Sequence, residues 1–487
     1  MAFRDLREWI KKLEEIGEAK HIKAEVNWEE EIGAITKRNI DLDGPALLFE
    51  NIKGYKESPC RRLLTCSVAS YKRVALMLGL EEKASPKEMV LHYRDKIRER
   101  IKPVVVNHGA VKDNIVKGEG IDIGIFPAPK YNPFDGGRYF ITTGGIATKD
   151  PETGWINVGL YRGMMIDGRS MTIQATIHQH FHQHLNKYRK IGKKMPAAYF
   201  IGGDPLYAFC AGSFYPEGVN EYEVMGALRG EGVELIRCET SDLAVPADAE
   251  IVLEGTVDPE FSSYKEEGPF GEFTGYYAGH KSLQPVFAVE AISYRNDPIF
   301  QGSPRSRPPD EAGYLSSLAR SANGWSILER AGVPGITDVY CTPVTGGSLA
   351  IVQINKRYQG HSKQVASALW GASPTTFKNV MVVEEDVDIY NYRDLEWAFT
   401  WRVDAKEDGI VIFPGMPGLR YDPSAYPEWK DPNVHGLARW NRVLIDATRD
   451  WRMEPNPDWG GERYPQVVDP RPEMKKIVEN RWKEYGF

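Results

Sequence analysis

The sequence predicts a mixed α/β (α+β) fold in which α/β segments at both ends flank a central segment rich in strands. Apolar residues recur at helical spacing near the start of the chain, from Phe3 to Ile16. Runs of β-branched and aromatic residues with frequent turn signals fill the middle. From Leu349 onward, short apolar runs alternate with helical stretches, which is typical of strand–helix–strand units and a partly parallel sheet.

Composition indicates a globular protein whose partners are small molecules or other proteins. The chain has 487 residues, enough for about three domains, and a net charge of −7 with both signs interspersed. Nucleic-acid-binding proteins concentrate basic charge on one face, and this chain shows no such concentration. The five cysteines show neither C-x-x-C spacing nor a disulfide-like framework, so they are expected to be reduced core residues. No run approaches the ~18 apolar residues of a membrane span, and no apolar signal-peptide stretch is visible. We therefore expect a cytoplasmic protein without a membrane span.

The first segment, residues 1–120, is predicted to be a small α/β unit that opens with an amphipathic helix. Ser85-Pro86-Lys87-Glu88 has the pattern of a capping box with proline at the first helical position, and it predicts a helix running to about Ile101. No catalytic motif is visible in this segment. Its predicted strands are His21–Val26, Pro45–Ile52 and Arg62–Ala69.

The central segment, residues 121–309, has the texture of a barrel or mixed sheet, with strands predicted over Tyr139–Ala147, Glu250–Gly255 and Val286–Tyr294. A helical stretch, Leu315–Ala331, follows Pro308-Pro309. The last segment is predicted to contain the elements Leu349–Ile354 (strand), Ser362–Trp370 (helix), Val380–Glu384 (strand), Leu395–Arg402 (helix) and Gly409–Phe413 (strand). The tail, Arg471–Phe487, predicts an amphipathic helix that docks either on this chain or on a neighbouring subunit.

The first candidate catalytic motif is the turn from Glu267 to Tyr276. Pro269 fixes one φ angle, while Gly268 and Gly271 allow backbone conformations that other residues avoid, so a helix is not expected here. Such a turn can aim Glu267 and Glu272 into one pocket, which general acid–base catalysis requires. Taken alone, the same spacing also fits a surface loop with two solvated acids.

A second group of residues offers ligands for a metal. Asn157, His180 and Glu221 provide one amide oxygen, one imidazole nitrogen and one carboxylate. This mostly oxygen set suits Mg²⁺ or Mn²⁺ better than a thiolate-bound metal, and it leaves coordination positions open for water or phosphate.

Four histidines recur at every second position: His178, His180, His182 and His184. On a strand they would form one row of ligands, but the residues from His180 onward predict a helix. We expect only His180, at the junction of strand and helix, to face the site, and His182 and His184 to be solvated.

Together these motifs resemble the UbiD family, whose members are reversible decarboxylases that use prenylated FMN. The resemblance covers nearly the whole chain and rests on five motifs in the family's order and spacing: Asn157-x-x-x-x-Arg162, Gln179-His180, Pro216-Glu217-Gly218-Val219-x-Glu221, Glu267-Gly268-Pro269-Phe270-Gly271-Glu272 and Arg307-Pro308-Pro309-Asp310-Glu311. It implies an N-terminal α/β piece (1–120), a split β-barrel that binds the flavin (121–309), a linking helix (310–331) and a C-terminal α/β domain (332–487) that forms homo-oligomers, either dimers or hexamers.

The resemblance also implies roles for individual residues. Arg162 and Glu267 would pair beside the flavin, and Glu272 would be the catalytic acid–base. Asn157, His180 and Glu221 would hold Mn²⁺ or Mg²⁺ on the cofactor phosphate. A K⁺ ion would lie nearby, held by backbone carbonyls of about residues 211–214. Further cofactor contacts would come from Tyr161, Gln179, Ser213 and Lys378.

The chemistry implied by the family explains this residue set. Loss of CO₂ from an sp² carbon leaves a carbanion that side chains alone cannot stabilise, so a cofactor must act as electron sink. Arg162 would position the substrate carboxylate, and Glu272 would then protonate the carbon. Pro269, Phe270 and Phe273 are expected to keep Glu272 in a dry, apolar site, while Glu267 stays ionised beside Arg162.

The implied reactants are an aromatic or other α,β-unsaturated acid and CO₂, with a flavin prenyltransferase as cofactor supplier. Arg305 is either a ligand for a second anionic group on the substrate or a solvated loop residue. The Gly/Pro-rich residues 413–417 are expected to line the pocket.

Three other functions would use part of this residue set or fold. A glycosidase that uses Glu267 and Glu272 leaves four residues without a role: Asn157, His180, Glu221 and Arg162. A plain flavin reductase has no use for the two glutamates. A non-catalytic or regulatory subunit of a multi-subunit carboxylase remains open, and a flavin chromophore on the purified protein would decide against it.

Overall fold

The predicted mixed α/β fold is confirmed, with a central, curled half-barrel sheet between two smaller α/β units. The structure is a computed structural model that describes residues 3–277, 279, 281–373, 375–425 and 438–487. Most buried apolar residues belong to clusters that run from the N-terminal unit into the central sheet, and from the linking helix into the C-terminal sheet.

The N-terminal unit is built on local signals that the sequence carries. Asp5 caps the first helix by accepting a hydrogen bond of 2.9 Å from the Glu8 backbone N–H, and the apolar face of that helix is buried as predicted. The capping box at Ser85 is present, although its helix ends at Lys96. The second and third helices were not predicted. The elements are α1 (Leu6–Glu15), β1 (Ala19–Ile22), α2 (Glu31–Ile40), β2 (Ala46–Phe49), β3 (Arg62–Thr65), α3 (Tyr71–Met77) and α4 (Pro86–Lys96).

The central unit contains a nine-stranded sheet in the order β6-β9-β10-β17-β14-β11-β7-β8, with β5 also pairing β17. Its pairs are antiparallel, which allows short turns between neighbours. The elements are β4 (Val104–Val106), β5 (Asn114–Lys117), β6 (Tyr139–Ile141), β7 (Gly145–Lys149), β8 (Ile156–Gly159), β9 (Arg162–Asp167), β10 (Ser170–Gln174), α5 (His180–Lys190), β11 (Met195–Ile201), α6 (Leu206–Gly212), α7 (Glu221–Arg229), β12 (Glu234–Arg237), β13 (Ala244–Pro246), β14 (Ile251–Val257), β15 (Lys265–Glu267), β16 (Ser282–Gln284), β17 (Val286–Tyr294) and β18 (Ile299–Gln301).

The N-terminal and central units share a sheet. The four-stranded sheet has the order β1-β2-β3-β18, and β18 pairs in parallel with β3. A separate three-stranded sheet has the order β13-β12-β4, in which β4 pairs in parallel with β12. The end of the central unit therefore completes the N-terminal sheet.

A long helix, α8 (Glu311–Arg330), connects the central unit to the C-terminal unit and packs on β19. The C-terminal sheet has the order β19-β20-β21-β23-β22, and β20, β21 and β23 are parallel, as the alternating pattern predicts. The predicted strand at Gly409 runs on to Gly418. The elements are β19 (Ile336–Cys341), β20 (Leu349–Ile354), α9 (His361–Ala372), β21 (Asn379–Glu384), α10 (Tyr392–Arg402), β22 (Ile410–Gly418), β23 (Ala438–Asp446) and α11 (Pro472–Asn480).

The tail helix α11 has no buried residue. The apolar side chains predicted to form its packing face are all exposed: Met474, Ile477, Val478 and Trp482. Of the two docking modes that the sequence leaves open, packing on this chain receives no support from the described residues.

Two expectations from composition can be compared with the structure. The five cysteines are free, and all but Cys238 are buried. Across the described residues, no helix combines the length and apolarity that crossing a bilayer requires.

Candidate functional site

The turn after Glu267 is held by the loop that precedes β6. Asp135 accepts a hydrogen bond of 3.2 Å from the Gly271 N–H, and the Gly136 N–H donates to the Pro269 carbonyl at 2.8 Å. A Cβ at Gly136 would lie 2.0 Å from the Gly268 carbonyl oxygen, so only glycine allows this approach. Burial raises the pKa of Asp135 to about 6. Two hydrogen bonds and a close backbone approach thus hold the turn, and none of them involves Glu267 or Glu272.

Arg162, the first residue of β9, lies between the two glutamates. Its Nε and Nη2 atoms donate to Glu267 Oε1 and Oε2 at 2.8 and 3.0 Å, and its Nη1 atom donates to Glu272 Oε1 at 2.5 Å. Glu267 also accepts a hydrogen bond of 2.8 Å from Tyr139 Oη. Glu267 is 0% exposed and Glu272 is 7% exposed. With both carboxylates ionised, this buried cluster carries one more negative than positive charge.

The two carboxylates act strongly on Arg162. Burial alone lowers the pKa of the guanidinium, but the charges of Glu272 and Glu267 outweigh burial and hold the pKa above its ordinary value. Arg162 is therefore cationic near neutral pH.

The bond from Arg162 to Glu272 is not part of the sequence prediction, which gives Arg162 to Glu267 and surrounds Glu272 with apolar side chains. The guanidinium has donors on several edges, so it can serve both acids at once. Phe270 packs on the guanidinium instead, with the two groups 4.9 Å apart.

Tyr421, from the C-terminal unit, joins this cluster and was missed by sequence reasoning. Its Oη accepts hydrogen bonds from Gln174 Nε2 at 2.7 Å and from Arg420 Nη2 at 2.8 Å. Burial raises the pKa of Tyr421, and the nearby charge of Glu272 raises it further. A Cβ built on Gly279 would lie 3.4 Å from Glu272 Oε1 and 3.2 Å from Tyr421 Cε1, so both side chains border the same space.

The prediction that residues 413–417 line the pocket receives no support. These residues belong to β22 and are mostly exposed, and none of their contacts within the described parts of the chain reaches Arg162, Glu267 or Glu272. The C-terminal unit contributes Arg420 and Tyr421 instead, just beyond the end of that strand.

The three predicted metal ligands converge around β8. Asn157 lies on β8, His180 begins α5 and Glu221 begins α7. Asn157 Oδ1 and His180 Nδ1 are 3.2 Å apart, and Glu221 Oε2 accepts a 2.7 Å hydrogen bond from the Val158 N–H. All three side chains are buried. One strand and the first residues of two helices therefore bring together three ligands that are far apart in the sequence.

The donor set fits a hard divalent cation. Burial raises the pKa of Glu221 to about 7, and no basic side chain in the described residues pairs with it. A cation beside this carboxylate would supply the missing charge. The described residues contain no group of three or more His, Cys, Asp or Glu side chains that could hold a metal, because one member of this trio is an amide. One amide oxygen, one imidazole nitrogen and one carboxylate suit Mg²⁺ or Mn²⁺.

Tyr161 stands behind Asn157. Its Oη accepts hydrogen bonds from Asn157 Nδ2 at 3.2 Å and from the Phe181 N–H at 3.3 Å. A Cβ at Gly159 would lie 2.3 Å from that oxygen, so glycine is required for the ring to fit. Since the amide nitrogen is engaged by Tyr161, the amide oxygen is turned towards His180. Tyr161 thus orients a predicted ligand.

Gln179 and Ser213, two of the predicted cofactor contacts, make local bonds. Gln179 precedes α5, and its Oε1 accepts a 2.7 Å hydrogen bond from the Thr176 N–H. Ser213 follows α6, and its Oγ donates to the Phe209 carbonyl at 2.8 Å. Both therefore fix the ends of helices that border the ligand trio.

Lys378, the fourth predicted cofactor contact after Tyr161, Gln179 and Ser213, lies in the C-terminal unit. Its Nζ is 2.6 Å from Asp422 Oδ2 and donates to Ser424 Oγ at 2.6 Å. Within the described ranges, no contact joins Lys378 to Asn157, His180 or Glu221. It instead holds the segment that brings Tyr421 to the glutamate cluster.

The prediction that His184 is solvated is wrong. His184 is fully buried, its Nδ1 is 3.0 Å from Thr148 Oγ1, and burial lowers its pKa to about 4. His180 and His184 stand one helical turn apart, so both face the sheet and both contact the ring of Trp155. His182 is half-buried.

Arg305 is neither free nor fully solvated. Its Nη1 atom lies 3.3 Å from both carboxylate oxygens of Asp310, and the side chain is half-buried.

Three stretches of the chain match sequence models of one family. Residues 10–91, 102–308 and 313–447 match the N-terminal, Rift-related (UbiD) and C-terminal domains of 3-octaprenyl-4-hydroxybenzoate carboxy-lyase. The chain is also 36% identical to an uncharacterized protein of Archaeoglobus fulgidus, over 99% of both chains.

Solved structures share the whole architecture. Vanillic acid decarboxylase of Sedimentibacter hydroxybenzoicus, in open form, is 31% identical with a TM-score of 0.85, over 100% of this chain and 99% of that one. The UbiD-class enzyme HmfF from Pelotomaculum thermopropionicum, in complex with FMN, is 28% identical with a TM-score of 0.84, over 98% and 99% of the two chains. An evolved dimeric form of HmfF in complex with prFMN is 26% identical, with a TM-score of 0.81, over 98% and 100%.

Proposed function

The chain belongs to the UbiD family, and from that premise we propose that it is a reversible, non-oxidative decarboxylase of an aromatic or other α,β-unsaturated carboxylic acid. The observation that supports this most directly is the buried Arg162 held between Glu267 and Glu272. A cation poised to bind a carboxylate, next to a carboxyl group that can carry a proton, is the set of groups that decarboxylation needs.

The proposed cofactor is prenylated FMN, in line with the flavins bound by HmfF. When bound, it would supply an electron sink for the electron pair that loss of CO₂ leaves on the substrate carbon. Asn157, His180 and Glu221 are proposed to hold Mn²⁺ or Mg²⁺ at its phosphate, with K⁺ at the carbonyls of residues 211–214. The Ala211 carbonyl already accepts a 2.8 Å hydrogen bond from the Leu160 N–H, which ties that loop to the strand that carries Asn157.

Arg162 is proposed to bind the carboxylate that leaves as CO₂. A guanidinium has five N–H donors, and the two glutamates use Nε and one hydrogen on each Nη. One donor therefore remains on Nη1 and one on Nη2. Glu267 keeps Arg162 in place, because it is bound through both oxygens and is held in turn by Tyr139.

Glu272 is proposed to be the proton donor. It is bound by one Arg162 N–H, whereas Glu267 is bound by two and by the Tyr139 hydroxyl, so Glu272 is the less tightly held of the two acids. Glu272 is also the only one of the two with any solvent exposure, 7% against 0% for Glu267. In the decarboxylation direction, its proton replaces the lost carboxylate on the substrate carbon, and in the reverse direction Glu272 takes that proton back.

The test uses protein co-expressed with a flavin prenyltransferase. We expect a flavin chromophore, the mass of prenylated FMN, bound Mn²⁺ or Mg²⁺, and release of CO₂ from members of a panel of unsaturated acids. Glu272→Gln is expected to keep the cofactor and to lose at least about 100-fold in turnover. Glu266→Gln, on the exposed side of β15, is the matched control and should retain full activity.

Full turnover by Glu272→Gln would remove the assigned proton donor. Protein that stays colourless under these conditions would favour the non-catalytic or regulatory subunit of a multi-subunit carboxylase. The proposed setting is the cytoplasm, with a homo-oligomer of this chain as the working assembly.

A further inference from the structure

Arg320, on the linking helix α8, forms no ion pair with any residue that the structure describes. Its Nη1 atom is buried and has no hydrogen-bond partner among the residues that the structure describes. Its guanidinium lies 5.9 Å from the ring centroid of Phe273, the residue that follows Glu272. Burial lowers the pKa of Arg320 to about 10, and the nearby Arg305 adds to this decrease. The side chain as a whole is half-buried, but a buried N–H donor without a partner is costly, so a bound anion would stabilise it.

The chain makes room for this arginine at two consecutive glycines between β19 and β20. Gly347 has a φ of +75°, and a Cβ there would lie 2.0 Å from Arg320 Cδ. A Cβ at Gly346 would lie 2.8 Å from Phe273 Cδ2. The two glycines thus admit the arginine stem and the ring that it faces, and they place the guanidinium beside the turn that carries Glu272.

Further polar groups lie near the same turn, and two of them, Thr274 and Arg307, lack a partner among the described residues. Asp310, the carboxylate that contacts Arg305, also caps α8 by accepting a 2.7 Å hydrogen bond from the Gly313 N–H. Thr274, next to Phe273, has a buried Oγ1 without a partner in the described parts of the chain. Arg307 is exposed, and no described residue forms an ion pair with it. Around Phe273, Asp310 is thus paired with Arg305, whereas Arg320 and Arg307 have no carboxylate partner among the described residues.

We infer that Arg320, assisted by Arg305, binds a second carboxylate on the substrate, so that the enzyme acts on an unsaturated dicarboxylic acid. This inference rests on the proposed function. One carboxylate would be bound by Arg162 and leave as CO₂, and a proton from Glu272 would take its place on the carbon. The other carboxylate would remain on the product, bound at Arg320.

The experiment measures binding and turnover of matched acids by the cofactor-loaded enzyme. The probes are sorbate with trans,trans-muconate, and 4-methylcinnamate with 4-carboxycinnamate. A charge-assisted hydrogen bond to the second carboxylate predicts that each diacid binds about 10- to 100-fold tighter than its partner. Arg320→Met should bind both members of a pair equally, while Arg320→Lys should keep most of the preference. Arg330→Met, at the exposed end of the same helix, is the control and should behave like the wild type.

Three results would overturn the inference: equal binding of both acids by the wild type, an unchanged preference in Arg320→Met, or loss of cofactor from Arg320→Met. The last would assign Arg320 to the cofactor. If Arg320→Met does not fold, Arg305→Gln serves in its place and should weaken the preference several-fold. Tight binding of diacids without turnover supports the second-carboxylate site and contradicts the proposed function. Turnover of monoacids without any preference for diacids supports the proposed function and contradicts the second-carboxylate site.

Discussion

Gln174 Nε2 donates a 2.7 Å hydrogen bond to Tyr421 Oη and so joins the central sheet to the C-terminal unit beside the glutamate cluster. Gln174 ends β10 and is the direct cross-strand partner of Arg162. The side chain that receives this bond from the C-terminal unit therefore lies next to the proposed reacting groups.

Replacing Tyr421 by Phe tests this connection. Gln174 and Arg420 would lose their shared acceptor, so we expect the free energy of unfolding to fall by about 1–3 kcal/mol and turnover to fall at unchanged cofactor content. Tyr390→Phe removes a part-buried hydrogen bond to Asp338, 2.9 Å long, in the C-terminal unit. That control should lose stability and keep activity. Equal activity in the two variants would show that Tyr421 has only a structural role.

Arg162→Met is expected to be strongly destabilising. It leaves Glu267 fully buried without its counter-charge, which costs about 3–5 kcal/mol near pH 7. Adding Glu267→Gln to the same chain removes the stranded charge and should restore most of that loss, as measured by urea unfolding. A double variant that is no more stable than the single one would mean that the charge of Glu267 is not the source of the cost.

Asp135 predicts a specific pH dependence of stability. Its pKa is about 6 in the folded protein against 3.8 for the ordinary group, so between these values the folded state holds a proton that the unfolded state has lost. Its contribution to the free energy of unfolding therefore falls as pH rises from about 4 to 6, by about 3 kcal/mol in all. Asp135→Asn lacks this contribution.

The measurement is the unfolding free energy of the wild type minus that of Asp135→Asn, taken from pH 4 to 7. Other titrating groups are common to both proteins and cancel. The difference should decline with rising pH and level off above about 6. A difference that is constant across this range would contradict the raised pKa.

Deleting residues 471–487 tests the role of the tail helix. The apolar residues of α11 are exposed, and none is buried on this chain. At a protein concentration low enough for any oligomer to dissociate, we therefore expect the truncated and full chains to unfold at nearly the same temperature. At a higher protein concentration, at which the full chain is oligomeric, light scattering should show a smaller assembly for the truncated chain, because the apolar face of α11 is then missing from the subunit interface. An unchanged mass would place subunit contacts elsewhere.

Local signals account for most of what the sequence could predict. Caps such as Asp5 and Ser85 fix helix starts, and the alternation of strand and helix after Leu349 fixes the parallel sheet. The turn that carries Glu267 and Glu272 is also local, since glycine and proline restrict its backbone. The burial of His184 could also have been predicted from the sequence, because His184 lies one helical turn after His180 and therefore on the same face of the helix.

Contacts between distant segments could not be read in this way. Tyr421 and Gln174 are separated by 247 residues, and neither lies in a motif that signals the other. The hydrogen bond from Arg162 Nη1 to Glu272 depends on how Asp135 and Gly136 hold the turn. Such geometry follows from packing in three dimensions, which no residue spacing specifies.

The parallel pairing of β18 with β3 constrains the order in which the nascent chain can mature. Arg62–Thr65 leaves the ribosome long before Ile299–Gln301, and at about 5–20 residues per second the interval lasts roughly 10–50 seconds. Throughout that time, one edge of the N-terminal sheet has unpaired backbone groups. A chain stalled or truncated before Ile299 therefore carries an open edge that chaperones or other nascent chains are free to engage.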